Sequence, residues 1–297
     1  MNKKNVRLKR VLGFAPTYGA AVGLVVSGTA MFSVGTVAGR VGYATFISAF
    51  IALIPMMMAA FAFGELTAML PGGGMISDYT LPAMGRFWAT FSLLSGYVVL
   101  IATDGGAQLV IGGLAIQKMV GIPQLLVTLI MLLCVVIINV FNVGIYGKVE
   151  TVITIFMMIL FAMLSICGCS HLGELYTGAV PQNLNSSLKS DLNWSSILSN
   201  AGAAVWFFIG FEFACPMAEE NVKPYKNIPY ALIFGLLTIC LVDSLFAFAA
   251  VRYTDVNILQ NSSTPQLDAA TAMLGKTGSV IMVCLTFFAA FTRPVVT

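Results

Sequence analysis

Eight stretches of this chain are each long and apolar enough, or nearly so, to cross a bilayer, and they leave little sequence for anything else. They are predicted at about Tyr18 to Val37, Ala44 to Leu70, Phe87 to Gln117, Pro123 to Asn142, Thr151 to Ser170, Ser196 to Cys215, Ile228 to Val251 and Thr277 to Thr292. Crossing ~30 Å of hydrocarbon takes about 20 mainly apolar helical residues, because every backbone group must be bonded within the segment. Of the 297 residues, 59% are hydrophobic and 9% charged, whereas soluble domains carry about 25% charged residues. A globule of this size cannot bury that much apolar surface. A soluble enzyme, a disordered chain and a nucleic-acid binder are therefore excluded, and the chain reads as an all-α integral membrane protein.

The few charges are sorted along the chain. Lys3, Lys4, Arg7, Lys9 and Arg10 precede the first span, which has no cleavage site followed by a soluble domain and so is not a cleavable signal peptide. By the positive-inside rule they place the N-terminus in the cytoplasm. Alternation then puts ten basic residues on the cytoplasmic side, including Arg86, Lys148, Lys223, Lys226 and Arg293, and five outside, namely Arg40, Lys118, Lys189, Arg252 and Lys276. A multi-pass protein of the cell membrane is expected, with outer polar loops at about His171 to Ser195 and Arg252 to Lys276. Sequons at Asn185, Asn193 and Asn261 fall outside but carry no weight, since such short patterns recur by chance.

Cys134, Cys167, Cys169, Cys215, Cys240 and Cys284 lie in or at the ends of spans and form no disulfide framework. Cys167, Cys169 and His171 make a C-x-C-x-H run, but a spacing of two on a helix points side chains in different directions, so no metal site is read there. His171 is the single histidine. No cofactor is expected, and neither a metal cluster nor a nucleophile paired with its base is present for an intramembrane enzyme.

Two spans are interrupted. In the first, Gly23 is followed by Ser27, Gly28 and Thr29, with Ser33 and Gly35 beyond; in the sixth, Gly202 leads into Trp206, Phe207, Phe208, Ile209, Gly210, Phe211 and Glu212. Small residues in mid-span also serve close helix packing. Paired glycine-interrupted helices in corresponding positions of two halves point instead to a transporter binding site. An unwound helix offers N–H groups to a carboxylate and carbonyls to an ammonium or ion.

The run Phe208-Ile209-Gly210-Phe211-Glu212, then Ala218-Glu219-Glu220-Asn221-Val222-Lys223-Pro224 and Asn227-Ile228-Pro229, closely resembles the sixth-helix signature of the amino acid/polyamine/organocation (APC) permeases. Glu65 to Gly74 with Tyr79 looks like that family's second-helix exit, Ser27-Gly28 with Phe32 resembles its first-helix break, and Asn142-Val143-Gly144 is similar to its fourth loop. The resemblance implies a LeuT-like fold of two inverted five-helix repeats, with helices 1 and 6 broken around a central site. Residues 1–16 are then a basic cytoplasmic N-terminus, 17–170 the first repeat, 171–195 an extracellular loop and 196–297 helices 6 to 8 of an incomplete second repeat. On that reading the chain is about two-thirds of a permease, ending in or just after the eighth span.

An ionisable group at bilayer depth costs at least ~2.5–3.5 kcal/mol, so each needs a partner, a cavity or a proton. Glu212 follows the Gly210-Phe211 break, where low dielectric favours its protonated form. The resemblance associates a glutamate here with proton-linked exchange; the alternative is a hydrogen-bond acceptor tying the sixth helix to the first. Asp104, beside Gly105 and Gly106 with Gln108 one turn on, either meets a substrate ammonium or forms a structural pair. Asp243 reads as structural, and Glu65 as a gate or packing residue. Met157 stands where some relatives carry a lysine in an ion site.

The expected function is secondary active transport, by symport or exchange, of an amino acid or small organic amine by alternating access. The expected partners are that substrate, a coupling proton or counter-substrate, and the lipid bilayer. Ser27, Gly28, Thr29, Asp104, Trp206, Phe207, Ile209, Gly210 and Phe211 are the candidate substrate-binding residues, and Glu212 the candidate proton carrier. Gly28 and Gly210 should tolerate no bulky side chain. The competing reading is a non-transporting fragment or sensor derived from such a permease.

Overall fold

Helices form where the apolar runs are uninterrupted and stop where small residues cluster. The computed structural model describes residues 10–141, 146–170, 174–175, 178, 181 and 193–296. Apart from an isolated parallel bridge between Leu12 and Asn221, the regular structure of these residues is helical.

The first run is cut in two. Helix α1 spans Phe14–Gly23, the chain unwinds through Leu24 to Ser27, and α2 starts at Gly28 and runs to Val41. Ser27 causes the restart: it is extended (φ −122°, ψ 158°), and its hydroxyl accepts from Ala30 N at 3.2 Å, as an N-cap does. A turn at Gly42 leads to α3, Thr45–Met69, and then come α4, Ile76–Met84, and α5, Arg86–Leu93. A π-helical turn, Leu94–Val99, joins α5 to α6, Leu100–Val120, in one apolar run. Helices α7, Gln124–Phe141, and α8, Tyr146–Cys169, follow.

The sixth run begins as α9, Trp194–Ala204, tightens into a 3₁₀ turn at Val205–Phe207, breaks at Phe208 to Gly210, and continues as a nine-residue 3₁₀ helix, Phe211–Glu219. Runs of 3₁₀ longer than three or four residues are uncommon and often mark a hinge. Gly210 makes the break possible: its φ of 118° is a conformation that L side chains rarely adopt. Helix α10, Pro224–Tyr253, is followed by α11, Val256–Asn261, and by α12, Pro265–Val296, which bends at Leu274 and Gly275.

Each of the eight expected spans thus lies on helix, with ends shifted by a few residues. One expectation changes. The segment from Arg252 to Lys276, expected as a polar loop, holds α11 and the first turns of α12. Asp255 caps α11, and Leu267, Ala269, Ala270 and Met273 bury one face of α12. Most of the loop from His171 to Ser195, and Asn142-Val143-Gly144, lie outside the described residues.

Six of the described helices are long and apolar enough to cross a membrane. Outward faces of the bundle carry large apolar side chains, such as Phe46, Phe50, Ile54 and Met58 on α3 and Leu125 and Leu133 on the shorter apolar helix α7. A surface of that kind is stable against lipid and not against water. At the centre, α10 packs on α1, α2, α3, α8 and α12. Small residues such as Ala231, Gly235, Ala247 and Ala250 let those backbones close in.

Candidate functional site: two interrupted helices and a third-span carboxylate

The two breaks lie side by side. Ser33 on α2 donates to Ala203 O on α9 at 3.3 Å, and α2 also touches the 3₁₀ turn that follows. Because α2 leads away from its break and α9 leads into its own, the N-terminal end of one meets the C-terminal end of the other. The first N–H groups and last carbonyls of a helix have no partner inside it, and they carry about half a positive and half a negative charge. An N–H-rich surface and a carbonyl-rich surface are therefore presented together at membrane depth.

The third span closes the N–H side. Thr29 donates its hydroxyl to Asp104 Oδ1 at 3.0 Å and its amide N–H to Gln108 Oε1 at 3.3 Å; Gln108 Nε2 donates to Thr29 Oγ1 at 2.9 Å and reaches Asp104 Oδ2 at 3.5 Å. Ser27 Oγ lies 3.1 Å from Thr29 Oγ1. All four residues are buried, Asp104 to 4% exposure. A Cβ on Gly28 would meet Gln108 Oε1 at 3.0 Å and Thr286 Cγ2 at 3.3 Å, so the third and eighth spans both crowd this corner. In this conformation the α2 N-terminus is thus held by protein groups, Gln108 and Ser27.

At the sixth break, Phe207, Phe208 and Phe211 are fully packed in the core, with the Phe211 ring edge-on to Phe63 at 6.2 Å. Trp206 and Ile209 are half-buried. Glu212 Oε2 accepts from Gly210 N at 3.1 Å, so its carboxylate holds the break in shape. Tyr97, carried by the π-helical turn, stacks edge-on against Phe213 at 5.6 Å and lies within electrostatic range of Glu212 and Cys215. Met157 is buried. Of the remaining acids, Glu65 is exposed near the end of α3. Asp243 on α10 is buried and makes no hydrogen bond or ion pair among the described residues.

A clasp that sequence reasoning missed closes one end of the bundle. Asn221, fully buried, donates to Thr17 Oγ1 at 2.6 Å and accepts from Lys223 N at 3.1 Å and Asn227 Nδ2 at 2.7 Å. Beside it, Val11 N donates to Glu220 O at 2.8 Å and Val222 N to Leu12 O at 2.9 Å, while Glu219 Oε1 accepts from Gly73 N at 2.9 Å. The two most recognisable sequence blocks, Pro71 to Gly74 and Ala218 to Pro224, therefore meet at one place. Next to them Tyr79 OH pairs with Thr67 Oγ1 at 2.7 Å, and burial pushes its phenol up to about 12. Replacing Asn221 by Ala takes the acceptor from Lys223 N and Asn227 Nδ2 and the donor from Thr17 Oγ1; a loss of about 1–3 kcal/mol, read as a lower thermal midpoint in detergent, is expected. An unchanged midpoint would mean that the clasp carries no stability.

Comparison with known proteins bears on the family and the fold. A family model described as amino acid permease matches residues 12–293. An uncharacterized transporter of Rhizobium meliloti is 24% identical over 289 residues, covering 93% of this chain and 60% of its own length. The glutamate/serine transporter AimA of Bacillus subtilis is 24% identical over 271 residues (84% and 49%), and the branched-chain amino acid permease BcaP of the same organism 25% identical over 246 residues (77% and 52%). The chain spans about half the length of the curated relatives it matches. A crystal structure of a manganese transporter of Eremococcus coleocola superposes on the whole chain and on 72% of its own, with a TM-score of 0.58 at 12% identity. That likeness speaks for the fold alone, which is helical among the described residues with six helices long and apolar enough to cross a membrane. With the family model matching nearly end to end, the chain belongs to the amino acid permease family.

Proposed function

We propose that this chain works as a secondary active transporter, moving an amino acid or small organic amine by alternating access around the two breaks. The observation that carries the reading is the side-by-side placement of the α2 N-terminus and the α9 C-terminus, tied by Ser33 and Ala203. An amino acid has a carboxylate for the first and an ammonium for the second, at the separation fixed by one carbon. The named substrates of AimA and BcaP differ in their side chains and share only this zwitterionic part, which is the part backbone groups can bind. Ser27, Gly28 and Thr29 take the carboxylate; the carbonyls around Phe207 to Gly210 take the ammonium; Trp206 and Ile209, half-buried, border the side chain; Phe207 and Phe211 set the shape of the break from behind. Glu65 sits on the route out at the Asn221 end. With the N-terminus in the cytoplasm of the cell, as its basic residues favour, that end faces inward.

Glu212 links this site to the proton. Ionised, it accepts from Gly210 N and holds the turn; protonated, it is a weaker acceptor and the turn loosens. Substrate affinity then varies with pH, and Glu212→Gln weakens that dependence. The test is uptake and counterflow by the purified protein in proteoliposomes, offered amino acids, polyamines and ethanolamine. Saturable uptake of one of these is the expected result. No uptake of any, by protein whose folding is verified, refutes transport, and an unaltered pH profile in Glu212→Gln removes Glu212 from the proton path.

A further inference from the structure

Asp243 is the buried acid that the site leaves over. It lies on α10 between Pro224 and Tyr253, about 15 Å before the Tyr253 end at 1.5 Å per residue, which is half the thickness of a ~30 Å hydrocarbon layer. Its residual exposure is 6%, and the residues around it on the helix, Ile239, Cys240, Val242, Phe246 and Ala247, are buried core. Asp104 has Thr29 and Gln108 as partners, and Glu212 has Gly210 N. Asp243 has no such partner among the described residues. The titratable group that interacts with it there is the Cys240 thiol, one turn back on the same helix. Among the described residues, helices α1, α2, α3, α8 and α12 and the 3₁₀ helix Phe211–Glu219, all packed on α10, bring no charged side chain that interacts with it.

An unpaired carboxylate in such surroundings is too costly to persist, and the group becomes neutral instead. A proton neutralises a single carboxyl completely. A hard metal cation takes six or more oxygen ligands, which one carboxyl does not supply. A structural anchor would have a hydrogen-bond partner, and none is found among the described residues. From these observations we infer that Asp243 is a proton-binding site on the seventh span, separate from Glu212, that is loaded while the bundle is packed around it and discharged when the bundle opens and water reaches it. The inference rests on the transport reading and deepens it, since α10 touches α1, α2 and the 3₁₀ helix beyond Gly210, the segments that flank the breaks. Any change in access that moves those segments changes what surrounds Asp243.

The experiment has two arms. The first is infrared spectroscopy of the purified protein across a pH series, comparing wild type with Asp243→Asn. Wild type is expected to show the C=O stretch of a protonated carboxyl persisting at neutral pH, and Asp243→Asn to lack it; the same band in both overturns the inference. Asparagine matches a neutral carboxyl in shape and charge, so Asp243→Asn should fold with the wild-type thermal midpoint. A variant that does not fold would mean that the charged form is required, which also overturns it. The second arm is accumulation of substrate in proteoliposomes against an imposed pH gradient. Asp243→Asn is expected to lose gradient-driven accumulation and Asp243→Glu to retain it; accumulation by Asp243→Asn equal to wild type refutes the site. Failure of wild-type protein to transport anything would count against the transport reading alone, because the infrared arm decides the protonation of Asp243 without it.

Discussion

Gly23→Ala should destabilise the protein and lower uptake roughly tenfold or more, although the same change in an ordinary helix is stabilising. Glycine in a helix interior costs roughly 0.5–1 kcal/mol relative to alanine, so propensity alone predicts a gain. Packing opposes it. Gly23 closes α1 just before the break, and a Cβ there would fall on Thr154 Cγ2 and 2.8 Å from Thr154 Cβ and Oγ1. Thr154 is itself buried on α8, one turn from Met157. It is β-branched and has few rotamers to retreat into. Inserting atoms into a packed core typically costs about 1–3 kcal/mol, which outweighs the propensity gain. Relief through a shift of α1 moves Leu24 to Ser27 with it, and displacements of about 1 Å at a binding site are enough for large losses of rate. Thr154→Ser removes the colliding methyl and leaves the 2.8 Å contacts, so Gly23→Ala with Thr154→Ser should recover part of the thermal midpoint and part of the uptake. A Gly23→Ala protein as stable and as active as wild type would show that α1 and α8 do not approach this closely.

The difference between what was legible in the sequence and what was not follows from distance along the chain. The spans and both breaks could be read locally. Apolar runs state where helices lie, and Ser27 before Gly28, or Gly210 among aromatics, states where they stop, because capping and positive φ are properties of a few adjacent residues. What pairs with what could not be read. Gln108 was visible one turn from Asp104, but nothing near it in sequence says that both reach Thr29, 75 or more positions earlier. Asn221 stood inside the most recognisable block, yet its partner Thr17 is 204 positions away. The segment before the eighth span was misjudged because its polar residues mask a short apolar face, Leu267, Ala270 and Met273, at helical spacing. Asp243 was the opposite case. Its sequence neighbours are ordinary for a membrane helix, and its interest lies in partners that the packing does not provide.

Asp104→Asn should be the most damaging single-atom change in the site. Asp104 receives the Thr29 hydroxyl on one oxygen and faces the Gln108 amide with the other. Asparagine keeps one acceptor and replaces the second with an N–H₂ group. Turned so that it still accepts from Thr29, it points that donor at the Gln108 Nε2 donor, and Gln108 cannot flip to help, because its Oε1 is engaged by Thr29 N. In that orientation one buried donor is left without an acceptor, at a cost of about 1–3 kcal/mol. Thr29→Val, which removes the shared hydroxyl, should cost a similar amount. Since the two residues belong to one network, the double variant should fall short of the sum by about 0.5–3 kcal/mol. This predicts how binding and stability divide. If Asp104 acts only as the brace that aims the α2 N-terminus, Asp104→Asn and Thr29→Val lower the thermal midpoint and raise KM together, and the coupling appears in both measurements. If Asp104 also touches the substrate's ammonium, a charge-assisted contact worth about 1.5–3 kcal/mol, then Asp104→Asn raises KM by roughly a further ten- to hundredfold for amines, while Thr29→Val does not. The brace is the reading that the geometry supports, because both carboxylate oxygens face protein donors. Additive effects of the two variants on the thermal midpoint would refute it.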